Sequence, residues 1–284
     1  MRMRSSDRPL EGWVAVVTGG ARGIGLATAT ALRSRGARVA IGDVDEEAVH
    51  AAADSLGPDV VAGRLDVTDP NSFAAFVAHV EREIGSLDVL VNNAGIMPVG
   101  PMLDEPHAVA RRVVDINLMG CMTGMKLALP GMLERRRGHV LNVASAAGRS
   151  PVPGGASYCA TKAAIVALTE TARVEFAGRG VDFTCVMPSF TRTDLITGTR
   201  VTRFIPAVTA AAVGEAIARA VVRRRPDVYV PAVVGPMLRM QPLLGRRLRD
   251  AVNRFIGADR SFLDIDHAAR RDYDARIRGE RRAS

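Results

Sequence analysis

The chain has 284 residues, 48% of them hydrophobic and 24% charged, the balance of a globular protein with enough apolar side chains for a large core. No stretch approaches the roughly 18 uninterrupted apolar residues of a membrane-spanning helix, and the three cysteines, Cys121, Cys159 and Cys185, lie in apolar surroundings and read as free core thiols of a cytoplasmic protein. The net charge of +8 is uneven, since residues 1–199 carry 20 basic and 21 acidic side chains and residues 200–284 carry 18 and 9, yet the basic third lacks the aromatic platform that would stack nucleic-acid bases, so nucleic acid is not an expected partner.

The basic start of the chain is followed by no apolar run, which argues against a secretory signal. The first apolar run, 13–18, is continuous, as a strand buried on both faces should be. It leads directly into Gly19-Gly20-Ala21-Arg22-Gly23-Ile24-Gly25 and a helical pattern over 23–35. Glycines at such a junction let the backbone turn sharply and approach a pyrophosphate, whose charge then meets the unsatisfied N–H groups of the helix. A second strand, 38–43, ends in Asp43. A carboxylate there accepts hydrogen bonds from the 2′-hydroxyl of an adenosine ribose and repels a 2′-phosphate, which predicts NAD, with NADP the second choice. Arg22, a cation in the loop, is the residue that would instead favour NADP.

The pattern then alternates: helix 46–56, strand 60–66, helix 70–84 beginning at Asp69-Pro70, strand 88–92, helix 104–135, strand 140–145, helix 157–178, strand 181–187, helix 211–225 and strand 228–230. Strands alternating with helices imply βαβ units. The expected fold is α/β: one Rossmann-like, doubly wound parallel sheet of about seven strands with helices on both faces. The alternation ends near Pro231. This predicts a catalytic domain over 1–231 and a C-terminal helical extension over 232–284, packed on the same domain or on a neighbouring subunit.

Ser157-Tyr158-Cys159-Ala160-Thr161-Lys162 opens the helix at 157. Tyr158 and Lys162, four apart, project from one helix face, and a nearby ammonium favours the phenolate. Arginine outnumbers lysine 36 to 2 in this chain, so a merely electrostatic position would have been filled by arginine. Position 162 calls for a compact ammonium beside a tyrosine that moves a proton.

With these residues in view, the sequence resembles the short-chain dehydrogenase/reductase family from about Trp13 to Pro231. Thr18–Gly25 is similar to the family's TGxxxGxG, Asp66-Val67 to its adenine-binding pair, and Asn92-Asn93-Ala94-Gly95 to its NNAG element. Asn117, Ser145, Tyr158 and Lys162 match its catalytic tetrad. The resemblance implies an NAD(P)-dependent transfer of hydride between the nicotinamide and a secondary alcohol or ketone. Ser145 would position the substrate oxygen, Tyr158 move its proton, Lys162 lower the tyrosine pKa and bind ribose, and Asn117 hold a water in a proton relay. Cofactor contacts are expected from Gly19, Arg22, Gly23, Ile24, Gly25, Asp43, Asp66, Val67, Asn93, Ala94, Gly95, Tyr158, Lys162, Pro188, Thr191 and Thr193. One departure stands at Pro188-Ser189, where the family has Pro-Gly, leaving open whether position 189 needs a positive φ.

His50, His79, His107, His139 and His267 have no metal-ligand spacing, so no metal is expected, and no Gly-x-Ser-x-Gly elbow is present. Met97, Pro98, Val99, Pro101, Met102, Val152, Pro153 and Phe190 form an apolar set around the expected substrate mouth, which favours a lipophilic alcohol or ketone. In the extension, Met237, Leu238, Met240, Leu243, Leu244, Leu248, Val252, Phe255 and Ile256 recur at roughly helical spacing with arginines between them. Such a surface needs a cover: the substrate cleft, another subunit or, less favoured, a peripheral contact with an anionic membrane. The family's habit of pairing long helices implies a homodimer or homotetramer. The competing reading is a catalytically silent protein that keeps the fold to sense a nucleotide or to act as a scaffold.

Overall fold

The architecture, taken from a computed structural model, covers residues 8–202 and 206–279; the chain's start, 1–7, and the end of the extension, 280–284, lie outside the described residues. In chain order, β1 (Val14–Thr18) leads into α1 (Gly23–Arg33), β2 (Arg38–Asp43) into α2 (Glu46–Leu56), and β3 (Val61–Arg64) into α3 (Pro70–Ile84). After β4 (Val89–Asn92) come α4 (His107–Val113), a π-helical turn (Val114–Met119) and α5 (Gly120–Glu134). Next are β5 (Gly138–Val143), α6 (Ala156–Glu175), β6 (Val181–Pro188), the short ribbon of β7 (Thr191–Arg192) and β8 (Val208–Thr209), α7 (Ala210–Arg223) and β9 (Asp227–Val230). The extension holds α8 (Val234–Met240), α9 (Arg246–Ile256) and α10 (His267–Arg278).

The seven strands of the main sheet run in the order β3-β2-β1-β4-β5-β6-β9. Every neighbouring pair is parallel. The period of two along β1 divides the core. Ala15 and Val17 face a cluster with α1, α2 and α7, whereas Val14 and Val16 face a second cluster with α3, α5 and α6. Both faces are therefore covered by helices, which is why the strands read as continuous apolar runs. Phe73 is fully buried and Phe76 nearly so, each such ring contributing about 1.5–3 kcal/mol by its removal from water. The strand order reverses between β1 and β4, and a crevice opens beyond their carboxyl ends, where ligands of such sheets bind.

Local signals explain the helix starts. Asp45 accepts from the Ala48 N–H at the start of α2, and Asp69 from the Asn71 N–H at the start of α3, with Pro70 in its first turn. The predicted helix 104–135 is not continuous. Glu105 precedes Pro106 and stays extended (φ −74°, ψ 116°), because the proline ring disfavours a helical predecessor. The helix then begins at His107 and widens into the π turn before α5. The strand predicted at 60–66 is also shorter, since the Val60 N–H closes a turn onto Gly57 and the Asp66 N–H is taken by Ser72 Oγ.

In the extension, α8 buries Val234 and Leu238, and α10 buries Arg270, Tyr273 and Ile277. By contrast, α9 buries no residue. Of the apolar pattern expected to be covered, Met237 to Ile256, only Leu238 is buried within this chain, whereas Leu243, Leu248 and Phe255 stay exposed. Of α9, Asn253 and Ile256 line the cavity described below.

Candidate active site

The turn from β1 to α1 is shaped for a ligand that lies on backbone. Gly19 has φ +64°, in the region that favours glycine, and a side chain at Gly25 would put its Cβ 2.0 Å from Gly19 O. At the N-terminus of α1 no side chain caps the first N–H groups, and no acidic residue sits in the first turn. Those donors and the helix dipole are left facing the crevice. Thr18 braces this turn: its Oγ1 accepts from the N–H groups of Asn93 and Ala94 at 3.0 Å each. Asn93 lines the crevice, but its amide nitrogen is committed to Thr18 O and Gly19 O. It ties β4 to the glycine turn.

Asp43 ends β2, accepting from the Ala21 N–H at 3.1 Å and the Asp45 N–H at 3.2 Å, one bond on each oxygen. Each oxygen keeps a lone pair for further donors. Arg22 forms an ion pair with Asp45. Asp66 Oδ1 accepts from the Thr68 N–H and hydroxyl, and Asp66, Val67, Ala94 and Gly95 line the same crevice together with Gly19, Gly23 and Ile24.

Farther along, Ser145 lies two residues past the end of β5, and its Oγ accepts from the Ala147 N–H. Tyr158, in the first turns of α6, is 6% exposed. Burial pushes its hydroxyl well above its ordinary range, while the hydrogen bond with Ser145 works the other way. Lys162, one turn on, is 4% exposed, and burial pulls its pKa down from 10.5 to about 8. Its Nζ donates to Val143 O at 2.7 Å and lies 5.7 Å from the Tyr158 ring centroid. In this arrangement desolvation of the phenol, not the expected attraction of the ammonium, dominates Tyr158.

Asn117 sits in the π turn, a feature that often marks functional positions in helices. Its Oδ1 accepts from the Ile96 N–H at 2.8 Å, and its Nδ2 donates to Ile96 O at 3.0 Å and Thr161 Oγ1 at 3.2 Å. Thr161 in turn donates to Tyr158 O, so the backbone of the tyrosine and the π turn are tied together. A Cβ at Gly95 would lie 3.1 Å from Asn117 Oδ1 and 3.6 Å from Lys162 Nζ. The bare glycine keeps a gap between amide and ammonium.

After β6, Ser189 adopts no positive φ: among the described residues only Arg136 and Arg224 do so without being glycine. The change from glycine therefore carries no backbone strain here. The Ser189 N–H donates to Val230 O, Thr191 Oγ1 to Ser189 O, and Thr193 Oγ1 to Thr191 O. Pro188, Thr191 and Thr193 all face the crevice.

The extension closes the site from above. Arg270 is fully buried, donating from Nη1 to Leu195 O at 2.8 Å and Thr197 O at 3.0 Å, from Nη2 to Met97 O, and from Nε to Asp274 at 2.9 Å. The Met97 N–H donates to the Tyr273 hydroxyl at 2.9 Å, and Arg276 pairs with Asp194. Phe262 packs edge-on against Phe190 with centroids 5.9 Å apart. The result is one cavity of about 990 Å³ that runs from the glycine turn past Tyr158 to an apolar end formed by Met97, Val152, Phe190, Leu238, Phe262 and Tyr273. Thr161, Arg270 and Tyr273 were not singled out from sequence, and Thr18 only as the first residue of the glycine motif. Their partners lie tens to hundreds of positions away, and no local motif announces them. Among the described residues no cluster of His, Cys, Asp or Glu is arranged to hold a metal ion.

The family described as short chain dehydrogenase matches residues 13–203. Galactitol 2-dehydrogenase of Agrobacterium fabrum is 40% identical over 176 residues, 62% of this chain and 69% of that protein. Cis-4-hydroxycyclohexanecarboxylate dehydrogenase of Sinomonas cyclohexanicum is 43% identical over 188 residues, 65% of this chain and 76% of that one. A much longer relative, glycine betaine reductase of Emericella nidulans, is matched over only 15% of its length. The crystal structure of a short chain dehydrogenase/reductase from Burkholderia phymatum in complex with NAD superposes with a TM-score of 0.75 at 27% identity, over 82% of this chain and 94% of that one.

Proposed function

Because the chain belongs to the short-chain dehydrogenase/reductase family, we propose that Ser145, Tyr158, Lys162 and Asn117 form the proton-handling centre of its reaction. The protein is an NAD(P)-dependent oxidoreductase acting on a CH–OH group, the chemistry named for its dehydrogenase relatives. The glycine turn and the uncapped N-terminus of α1 suit a dinucleotide: bare backbone lets a pyrophosphate approach, and free N–H donors meet its charge. Asp43 keeps acceptor lone pairs for ribose hydroxyls, and Arg22 is already paired with Asp45. That supports NAD over NADP, in line with the NAD-bound structural neighbour.

A bound nicotinamide supplies the acceptor or donor of hydride. Ser145 holds the substrate oxygen beside Tyr158. The tyrosine, kept neutral by burial, donates its proton as a carbonyl is reduced and takes the hydroxyl proton in the reverse direction. Lys162, with its pKa drawn to about 8, titrates near neutrality and can pass that proton on. The gap beside Gly95 is the place for a water between Asn117 and Lys162, which leaves Asn117 both to brace the π turn and to anchor the relay. The apolar end of the cavity favours a lipophilic secondary alcohol or ketone, and the half-buried side chains along α5 and α6 favour a homodimer or homotetramer built on those helices.

The observation that carries this reading is the buried Tyr158–Ser145 pair beside Lys162, in the same cavity as the glycine turn. Its test is a panel of secondary alcohols of rising apolar size, followed by NADH fluorescence, with wild type and Tyr158→Phe. The variant should keep its thermal midpoint and NAD affinity and lose at least roughly 10²-fold in turnover, the scale of general acid–base catalysis. Near-normal turnover by the phenylalanine variant would falsify the assignment.

A further inference from the structure

The extension brings a second phenol into the cavity, one that the proton-handling residues do not account for. Tyr273, on α10, is 5% exposed and lines the cavity together with Ser145 and Tyr158. It stands close enough to Tyr158 to help push the pKa of that hydroxyl up, as a neighbouring group that ionises to the same charge does. Its place is held from several sides. The Tyr273 oxygen accepts from the Met97 N–H at 2.9 Å. Arg270, which donates to Met97 O, has its guanidinium 4.5 Å from the centre of the tyrosine ring, and that of Arg276 is 5.3 Å away, both within reach of a cation–π attraction.

A phenol both accepts and donates. The Tyr273 oxygen has accepted from Met97, but its own proton finds no acceptor among the described residues. Burial pushes this phenol up to about 12, so at ordinary pH the proton stays on the oxygen and is available to a hydrogen bond. A buried donor left without a partner is costly, and the cavity is where an acceptor can arrive. The reacting oxygen is not that acceptor. A carbonyl oxygen has two lone pairs, and Ser145 and Tyr158 take both. A third donor in the same cavity therefore addresses a different oxygen.

We propose that Tyr273 sets substrate choice by donating a hydrogen bond to a second oxygen of the substrate. The two phenols are electrostatic neighbours, which puts that oxygen on the carbon next to the carbinol or on the one after it. The substrate class is then an apolar secondary alcohol, or its ketone, that carries a hydroxyl or carbonyl beside the reacting carbon. Phe190, Leu238 and Phe262 receive its apolar remainder. Tyr273 takes this part only if Ser145 and Tyr158 hold the reacting oxygen as assigned above. It stands beyond the residues that match the family, 13–203, so this preference belongs to the extension.

Steady-state kinetics, followed by NADH fluorescence, compare an apolar secondary alcohol with two analogues that bear a second hydroxyl on the neighbouring carbon or the next one. Wild type should prefer one of the analogues by at least about tenfold in kcat/KM. Tyr273→Phe should abolish that preference by raising the KM for this analogue about tenfold, with kinetics on the plain alcohol and NAD affinity close to wild type. The variant also takes an acceptor from the Met97 N–H, but a tyrosine that only braced this loop would lower all three alcohols by the same factor. Equal loss on all three therefore overturns the proposal. So does a wild type that turns over all three alike, a measurement that needs no variant. Turnover of none of them by wild type, or unchanged turnover in Tyr158→Phe, refutes the proton-handling centre instead and takes the role of Tyr273 with it.

Discussion

Asp43 and His139 show how single positions carry consequences that composition hides. Asp43 uses one lone pair of each oxygen on its own chain and keeps the other for ribose hydroxyls. Asp43→Ala should weaken NAD binding and narrow the preference over NADP, since it removes both the acceptor and the charge that repels a 2′-phosphate. Tighter binding of NADP than of NAD by the wild type, measured by fluorescence titration, would sink this assignment and release Arg22 for the phosphate. His139 lies in β5, 1% exposed, with Nε2 2.7 Å from Thr184 Oγ1. Burial pulls its pKa from 6.5 to about 4. Between those values the unfolded chain binds a proton that the native protein refuses, so stability rises with pH across this window. His139 therefore costs nothing above pH 6.5 and destabilises progressively as pH falls toward 4, by at most roughly 1.4 kcal/mol per pH unit. Urea unfolding of His139→Gln should show a shallower acid slope between pH 4.5 and 6.5, and an unchanged slope would mean the histidine is not the group that titrates.

Among the elements, α10 is the one whose role reverses the impression left by its composition. It is charged along most of its length, yet it buries Arg270, Tyr273 and Ile277. The arginine donates to carbonyls of Met97, Leu195 and Thr197, which belong to the loops on either side of the cavity. Arg270→Met would leave these carbonyls short of a donor and should cost on the order of 3 kcal/mol. Because the loss falls on the extension and two loops, and not on the sheet, limited proteolysis should show cleavage near 258–279 well before the domain unfolds. A variant that is unfolded throughout, or as resistant as wild type, would contradict this division. The same scale explains the interrupted helix at 104–135: periodicity saw apolar residues at helical spacing, but Pro106 and the extra residue of the π turn belong to backbone geometry that spacing does not report.

For the whole molecule, the sheet order places the glycine turn, Asp43, Ser145 and Tyr158 along one crevice, with Asn117 buried beside Gly95, and the extension roofs it. If residues 258–279 form the wall of the apolar end, deleting the chain from 258 onward should raise the KM for a bulky apolar alcohol at least tenfold while changing NAD affinity little, because Phe262 and Tyr273 line the substrate end. Equal effects on both, read from steady-state kinetics and fluorescence titration, would show that the roof serves the cofactor as much as the substrate. Cys121, Cys159 and Cys185 are free and buried, so a reductant present in such measurements opens no disulfide between them.

The sequence by itself determined the alternation of strands and helices, the glycine turn, the acid ending the second strand and the Tyr158–Lys162 spacing. Each of these depends on residues within about one turn or one strand of each other, and local geometry imposes the pattern. Only the tertiary structure decided what Thr18, Thr161, Arg270 and Tyr273 do, since their bonds span 75, 44, 173 and 176 positions. It also decided that burial outweighs the ammonium at Tyr158 and that Ser189 needs no glycine. The extension shows the boundary between the two most clearly. Its apolar spacing demanded a cover, but hydrophobic burial has no direction of its own. Which residues went inward, and that α9 kept its apolar face outside, was settled by the shape of the crevice onto which the chain had to fold.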